Sequence, residues 1–217
     1  MIELIRKNRA FFWTYLVALV VVGILQLIYT KEELIRWVNT YNTSWADVFF
    51  DNVTYLGDGA FAVIVVVILF IRSWWMGILA AGSFVISSLT SIFLKRVVFP
   101  DNLRPLKYFE HSNWQYHAIK GLNIFSYNSF PSGHTITAFA VFSLLAMLDE
   151  RKSRGWVLAI IAMLVGYSRV YLFQHFVEDV YAGSVVGTLT SLLVFYYFNQ
   201  WRERRRLKER TDSMGDL

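Results

Sequence analysis

The chain contains no cysteine. Disulfides and thiolate-bound metals are therefore excluded, the fold must hold by packing alone, and redox compartment leaves no mark on the sequence. Charge is scarce as well: 17% of the 217 residues are Asp, Glu, Lys or Arg, against 56% hydrophobic. A soluble globular domain is rarely so apolar. Only three prolines occur, all between Arg96 and Pro131, and neither an internal repeat nor a low-complexity tract is present. The net charge of +5 raises the question of nucleic acid. Its basic residues cluster beside hydrophobic ends, however, and little soluble surface remains for a phosphate-tracking stripe, so no nucleic-acid partner is expected.

What is present is a series of apolar blocks of about the ~20 residues that cross a bilayer. Six are read: about 11–29, 53–71, 74–94, 132–148, 156–173 and 180–198. The expected fold is all-α, a polytopic membrane protein with a six-helix bundle in one domain spanning 1–217. Arg6, Lys7 and Arg9 give the first block the look of a signal peptide, but its length and the lack of a small-residue cleavage site predict an uncleaved anchor. In alternate connections, 13 of the 21 Lys and Arg residues fall on the side of the two termini. That bias places both termini, including a basic tail over 199–217 whose last residues fray, in the cytoplasm. Trp13, Trp74, Trp75, Trp156 and Trp201 lie near span ends, as an interfacial belt would.

Two outer segments are more than plain loops. Over 31–52, Leu34, Val38, Tyr41, Trp45 and Val48 recur three or four apart among polar residues. This predicts an amphipathic helix on the membrane surface or, equally, a lid on the bundle. The segment 96–131 is polar, aromatic and of a length that tends to be functional.

Three stretches carry chemistry. Pro131-Ser132-Gly133-His134 precedes an apolar run: proline and serine mark a helix start, and glycine lets backbone approach a ligand. Free N–H groups and the positive dipole end make such a start an anion site, although a plain capped helix with an interfacial histidine has the same signature. His175 and Asp179 stand four apart, one helical turn, so Asp179 can accept the Nδ1 proton and leave Nε2 as nucleophile or base. A surface or capping contact reads the same way. Arg169, near the end of the fifth block, is costly there unless it serves a polar site or snorkels. Lys95 and Arg104-Pro105, between the third and fourth blocks, offer a point charge and a planar fork for phosphate oxygens.

In order, Lys95, Arg104-Pro105, Pro131-Ser132-Gly133-His134 and Ser168-Arg169-x5-His175-x3-Asp179 resemble the three signature stretches of the type 2 phosphatidic acid phosphatase superfamily, which also includes bacterial acid phosphatases and vanadium haloperoxidases. The second and third stretches match fully. In the first, eight residues separate Lys95 from Arg104 where the family usually has six, which leaves Arg96 as an alternative to Lys95. The resemblance implies a metal-free phosphatase with no cofactor. His175 would attack phosphorus, oriented by Asp179, while His134 protonates the leaving oxygen and later activates water. Lys95, Arg104, Ser132, Gly133 and Arg169 would bind the phosphoryl oxygens, and Ser168 would support the site.

The expected activity is hydrolysis of a lipid phosphate or pyrophosphate at the outer face of a bacterial inner membrane. Undecaprenyl pyrophosphate, phosphatidylglycerol phosphate, phosphatidic acid and lipid A phosphate all fit. A phosphotransferase using the same phosphohistidine, or a non-enzymatic lipid-binding or transport protein, are the alternatives. His111 and His117 read as a solvated loop pair rather than metal ligands. Asp58 reads as a helix cap that could also line the cavity, and Tyr127, Asn128 and Ser129 as loop residues close to substrate.

Overall fold

A computed structural model describes residues 1–215, whose regular elements are all helices with no strand among them. After a short helix, Ile2–Lys7, come α1 (Arg9–Ile28), α2 (Lys31–Thr40) and α3 (Ser44–Val53). A 3₁₀ turn, Thr54–Gly57, leads to α4 (Gly59–Arg72) and α5 (Trp74–Phe93). The bundle closes with α6 (Gly133–Leu148), α7 (Gly155–Tyr171) and α8 (Val177–Gly215). The basic tail continues α8 as helix to Gly215 where fraying was expected; residues 216–217 of that tail lie outside the described residues.

The centre of the bundle is α6, packed against α5, α7 and α8. Its sequence is apolar on every face, and a helix of that kind belongs inside. Phe139, Phe142 and Ala146 of α6 join Phe11 and Tyr15 of α1 and Ala159 and Val165 of α7 in one buried cluster. Some of the polar groups inside are paired: the Ser143 and Ser191 hydroxyls bond each other across α6 and α8, and Tyr15 Oη lies 3.1 Å from Ser184 Oγ, whereas Ser83 Oγ and Thr188 Oγ1 have no partner. On the outside, Val17, Val20, Val21 and Ile24 of α1 and Val67 and Ile68 of α4 are half or more exposed, an apolar surface suited to lipid.

Length and composition together qualify fewer spans than the apolar blocks alone. Among the described residues, Arg9–Ile28, Trp74–Val98 and Val177–Lys208 are long and apolar enough to cross a bilayer. Ser44–Gly57 with Gly59–Arg72 makes a fourth only if that pair, bent by 53°, counts as one. The block expected at 53–71 is thus broken, because Asp58 leaves helical geometry to cap α4, its Oδ1 accepting the Ala60 N–H at 2.8 Å. Gly133–Leu148 is apolar but has 16 residues, about 24 Å of helix against a core of ~30 Å.

The amphipathic segment 31–52 also differs from its expectation, being two helices. Thr30 and Glu33 form a capping box for α2, and Thr43 accepts the Ala46 N–H to start α3 afresh. Leu34, Ile35 and Val38 of α2 are buried, whereas Trp37, Tyr41, Trp45 and Val48 face outward. The segment packs on the bundle through these buried residues, as a lid would, and presents an aromatic outer face. The long loop is fastened to α2: Asn39 Nδ2 donates to the His117 carbonyl at 2.7 Å, and the His117 N–H returns a bond to Asn39 Oδ1 at 2.8 Å.

Candidate active site

The end of α7 sets the position of His175. Phe173 adopts a left-handed conformation, φ 58°, so the chain reverses there without a glycine. The Phe173 N–H then bonds the Val170 carbonyl and the Gln174 N–H bonds the Arg169 carbonyl, at 3.1 and 3.0 Å. This is the Schellman pattern of a helix C-terminus. Arg169 O accepts the His175 N–H as well, at 3.1 Å, so helix end and histidine are tied at one atom. Two residues later α8 begins.

Asp179 lies in the first turn of α8 rather than ahead of it, and His175 lies just outside, so the pair does not share one helix face as its spacing implies. The contact forms by another route. Asp179 Oδ2 reaches back to the Phe176 N–H at 2.9 Å, the third-residue half of a capping box, and in that pose lies 3.2 Å from His175 Nδ1. Ser129, from the long loop, donates to the same carboxylate oxygen at 2.5 Å and sits 3.4 Å from His175 Nδ1. Both members of the pair are buried, at 1% and 2% exposure.

The start of α6 meets this pair directly. Ser132 caps the helix, its Oγ accepting from Thr135 Oγ1 at 2.9 Å, and its N–H donates to the Asp179 carbonyl at 3.0 Å. Gly183 of α8 permits that approach, because a Cβ there would stand 2.8 Å from the Ser132 carbonyl oxygen. Gly133 and His134 begin the helix on the side of Lys95, whose Cε would lie 3.9 Å from a Cβ on Gly133. His134 Nε2 is 3.8 Å from Asp58 Oδ2.

Three cations surround the site, and among the described residues none is bonded to a carboxylate. Lys95 Nζ donates to the Asn128 carbonyl at 2.9 Å. Arg104 donates through Nε to the Tyr127 carbonyl and through Nη1 to Gln174 O and Oε1, at 3.0 to 3.2 Å. Arg169 Nη1 donates to Thr54 Oγ1 at 2.6 Å, and its buried Nε has no partner. An unpaired buried donor on a guanidinium calls for an anion. Burial first, then the charges of Arg104, Arg169 and Lys95, hold His175 well below the ordinary imidazole range. It is therefore neutral at pH 7, with a lone pair for nucleophilic attack. Burial also pulls Arg104 below its ordinary value, opposed by the charge of Asp179.

All eight residues expected at the site are thus brought to one place; of the two candidate first cations, Lys95 turns toward Asn128 and Gly133, whereas Arg96 is exposed. Four more belong to it. Gln174 lies inside the signature without a fixed role, and Ser129 borders it. Thr54 and Asp58 come from a distant turn and carry no spacing signal. Of the two loop histidines, His111 is exposed, whereas His117 is partly exposed and has a partner the sequence did not show: its Nε2 lies 2.9 Å from Asp47 Oδ1, which also accepts from Tyr171 Oη at 2.7 Å. No group of three or more metal-ligating side chains occurs among the described residues.

Known proteins resemble this chain in sequence and in fold. The sequence model of the PAP2 superfamily matches residues 74–203, which holds every signature stretch. The chain belongs to the PAP2 superfamily. Phosphatidylglycerophosphatase B of Bacillus subtilis (strain 168) is 32% identical over 164 residues, covering 69% of this chain and 74% of that one. The crystal structure of Aquifex aeolicus LpxE superposes with a TM-score of 0.65 at 27% identity, over 76% of this chain and 94% of LpxE. The PAP2-type phosphatidylglycerolphosphate phosphatase from Bacillus subtilis gives 0.63 at 26%, over 89% and 96%. With two further curated relatives the alignment is short, spanning 33% and 35% of their length.

Proposed function

We propose that this PAP2 protein is a membrane phosphatase that hydrolyses a lipid phosphate or pyrophosphate through a phosphohistidine on His175. The observation that carries the reading is the buried His175–Asp179 pair, 3.2 Å apart, facing three cations that have only neutral partners. Relatives named as lipid phosphatases support a hydrolase of that substrate class. The reading includes a single domain of six spans with both termini cytoplasmic and the site on the outer side of a bacterial membrane, where a headgroup reaches it while its chains stay in lipid.

In the first step His175 Nε2 attacks phosphorus. The P–N bond forms as the bond to the leaving oxygen breaks, and His134 gives that oxygen its proton. Asp179 accepts from Nδ1–H and stabilises the charge that develops on the ring. Lys95, Arg104, Arg169, the Ser132 hydroxyl and the Gly133 N–H hold the phosphoryl oxygens, placed before the reaction begins. Water then attacks phosphorus, loses a proton to His134, and the P–N bond breaks to release phosphate.

Phosphate release by the purified chain in detergent, across a panel of lipid phosphates and with chelator present, tests this reading. Activity with at least one lipid phosphate is expected to survive the chelator and to vanish in His175→Ala. Turnover by that variant, or a chain silent on the whole panel, overturns it.

A further inference from the structure

Resting on that reading, we infer that Asp58 is a positioning residue for His134, the partner that keeps a proton available to the acid of the first step. No signature stretch contains Asp58. It ends the Thr54–Gly57 turn and caps α4 through Oδ1, which accepts the Ala60 N–H at 2.8 Å. That bond fixes the rotamer and leaves Oδ2 facing His134 Nε2 at 3.8 Å. The gap is an ion-pair distance, wider than a hydrogen bond, and catalytic contacts of this kind often close only when substrate binds.

A second observation places the same turn against His134. A Cβ on Gly57 would stand 2.6 Å from the His134 carbonyl oxygen and 2.7 Å from Val165 Cγ1, so the turn lies directly on the start of α6. Its first residue, Thr54, holds Arg169. Five consecutive residues from outside the signatures therefore brace two site residues, one through a hydroxyl and one through a carboxylate.

Charge gives this carboxylate its role. His134 is faced by Arg169, Arg104 and Lys95, all cations, and by Asp58 as the opposing charge. The acid of the first step must carry a proton to give, and a carboxylate beside an imidazole favours its protonated form. Asp58 does this from the Nε2 side of the ring, 3.8 Å away. With Nε2–H directed at Asp58, the proton lent to the leaving oxygen departs from Nδ1 and returns there from water in the second step. The site then contains two histidine–carboxylate pairs with divided work: a buried one for the nucleophile and a rim one for the acid.

Asp58→Asn separates the proposed role from capping, because Asn caps a helix as well as Asp does. Its kcat on a lipid phosphate is expected to fall at least tenfold with KM within twofold of wild type. On an aryl phosphate with the same apolar chain, whose leaving group needs little protonation, the loss should stay under threefold. Asp58→Ser, a second neutral cap, should behave alike and covers the case in which the Asn variant does not fold. A wild-type kcat in either folded variant, a loss confined to KM, or an equal loss on both leaving groups overturns the inference while wild-type turnover leaves the parent reading standing. A wild-type chain that releases no phosphate from either substrate overturns both.

Discussion

Substituting Gly183 by alanine tests whether the spacing of α6 and α8 sets the site. A Cβ would stand 2.8 Å from the Ser132 carbonyl oxygen and 3.2 Å from Thr135 Cβ, both backbone or branched atoms that cannot swing aside. Ordinary contact begins at 3.4 Å, so the helices must part by about 0.6 Å, a displacement on the scale that costs catalysis ~100-fold per ångström. That movement stretches the 3.0 Å bond from the Ser132 N–H to the Asp179 carbonyl and carries Gly133 and His134 away from His175. We expect kcat to fall about 10- to 100-fold, or roughly 1.4 to 2.7 kcal/mol of transition-state stabilisation. Folding should respond much less, because alanine is favoured over glycine inside a helix by about 1 kcal/mol, which offsets part of the packing strain. The assay is phosphate release with kcat and KM separated, alongside thermal unfolding followed by tryptophan fluorescence. A folded variant with the wild-type rate would refute the reasoning.

Ser129→Ala removes the donor that holds Asp179 at 2.5 Å; at about 1.5 to 3 kcal/mol for a bond to a charged group, kcat should drop about 10- to 100-fold in the same assay. An unchanged rate would make Ser129 a bystander. His175 is kept neutral in the fold by burial and its cationic neighbours, but returns to about 6.5 on unfolding. The unfolded chain then binds the extra proton, so this group's contribution to stability is complete above that pH and is lost as pH falls below it. His175→Gln should flatten the difference in melting temperature between pH 7.5 and 5.5, and equal slopes in both proteins would contradict the assignment.

The signature residues were legible because each stretch is local: Ser132, Gly133 and His134 adjoin, and Arg169, His175 and Asp179 fall within eleven positions. Their contact geometry was not. The spacing of four implied a shared helix face, whereas a Schellman end on α7 and a reach-back cap on α8 make the same contact across a helix boundary. Phe173 gave no warning, since the left-handed position at such an end usually shows itself as glycine. Thr54 was hidden, and Asp58 and Ser129 were marked only as a helix cap that could line the cavity and a loop residue close to substrate, without their partners, for another reason. Each is one polar residue in a turn, joined to the site by tertiary packing over 115, 76 and 46 to 50 positions of chain, and no periodicity encodes that. Segment 31–52 had the right apolar spacing, but a helical pattern does not record a break, and Thr43 capping α3 decides it.

The site's carboxylates explain why its cations remain open. Two carboxylates, Asp58 and Asp179, stand within the cluster, and either could neutralise a guanidinium if it were free to turn. Each is occupied instead: Asp179 by the Phe176 N–H, the Ser129 hydroxyl and His175, and Asp58 by the Ala60 N–H. Capping thus does more than end helices here, because it directs negative charge toward imidazoles and away from Lys95, Arg104 and Arg169. Those three must then rest on carbonyls, an amide and a hydroxyl, which satisfy their hydrogen bonds without cancelling their charge. In the proposed function, phosphate is the anion that completes the set. The same residues that fasten the helix starts therefore leave the three cations without a carboxylate bond, the state the proposed substrate requires.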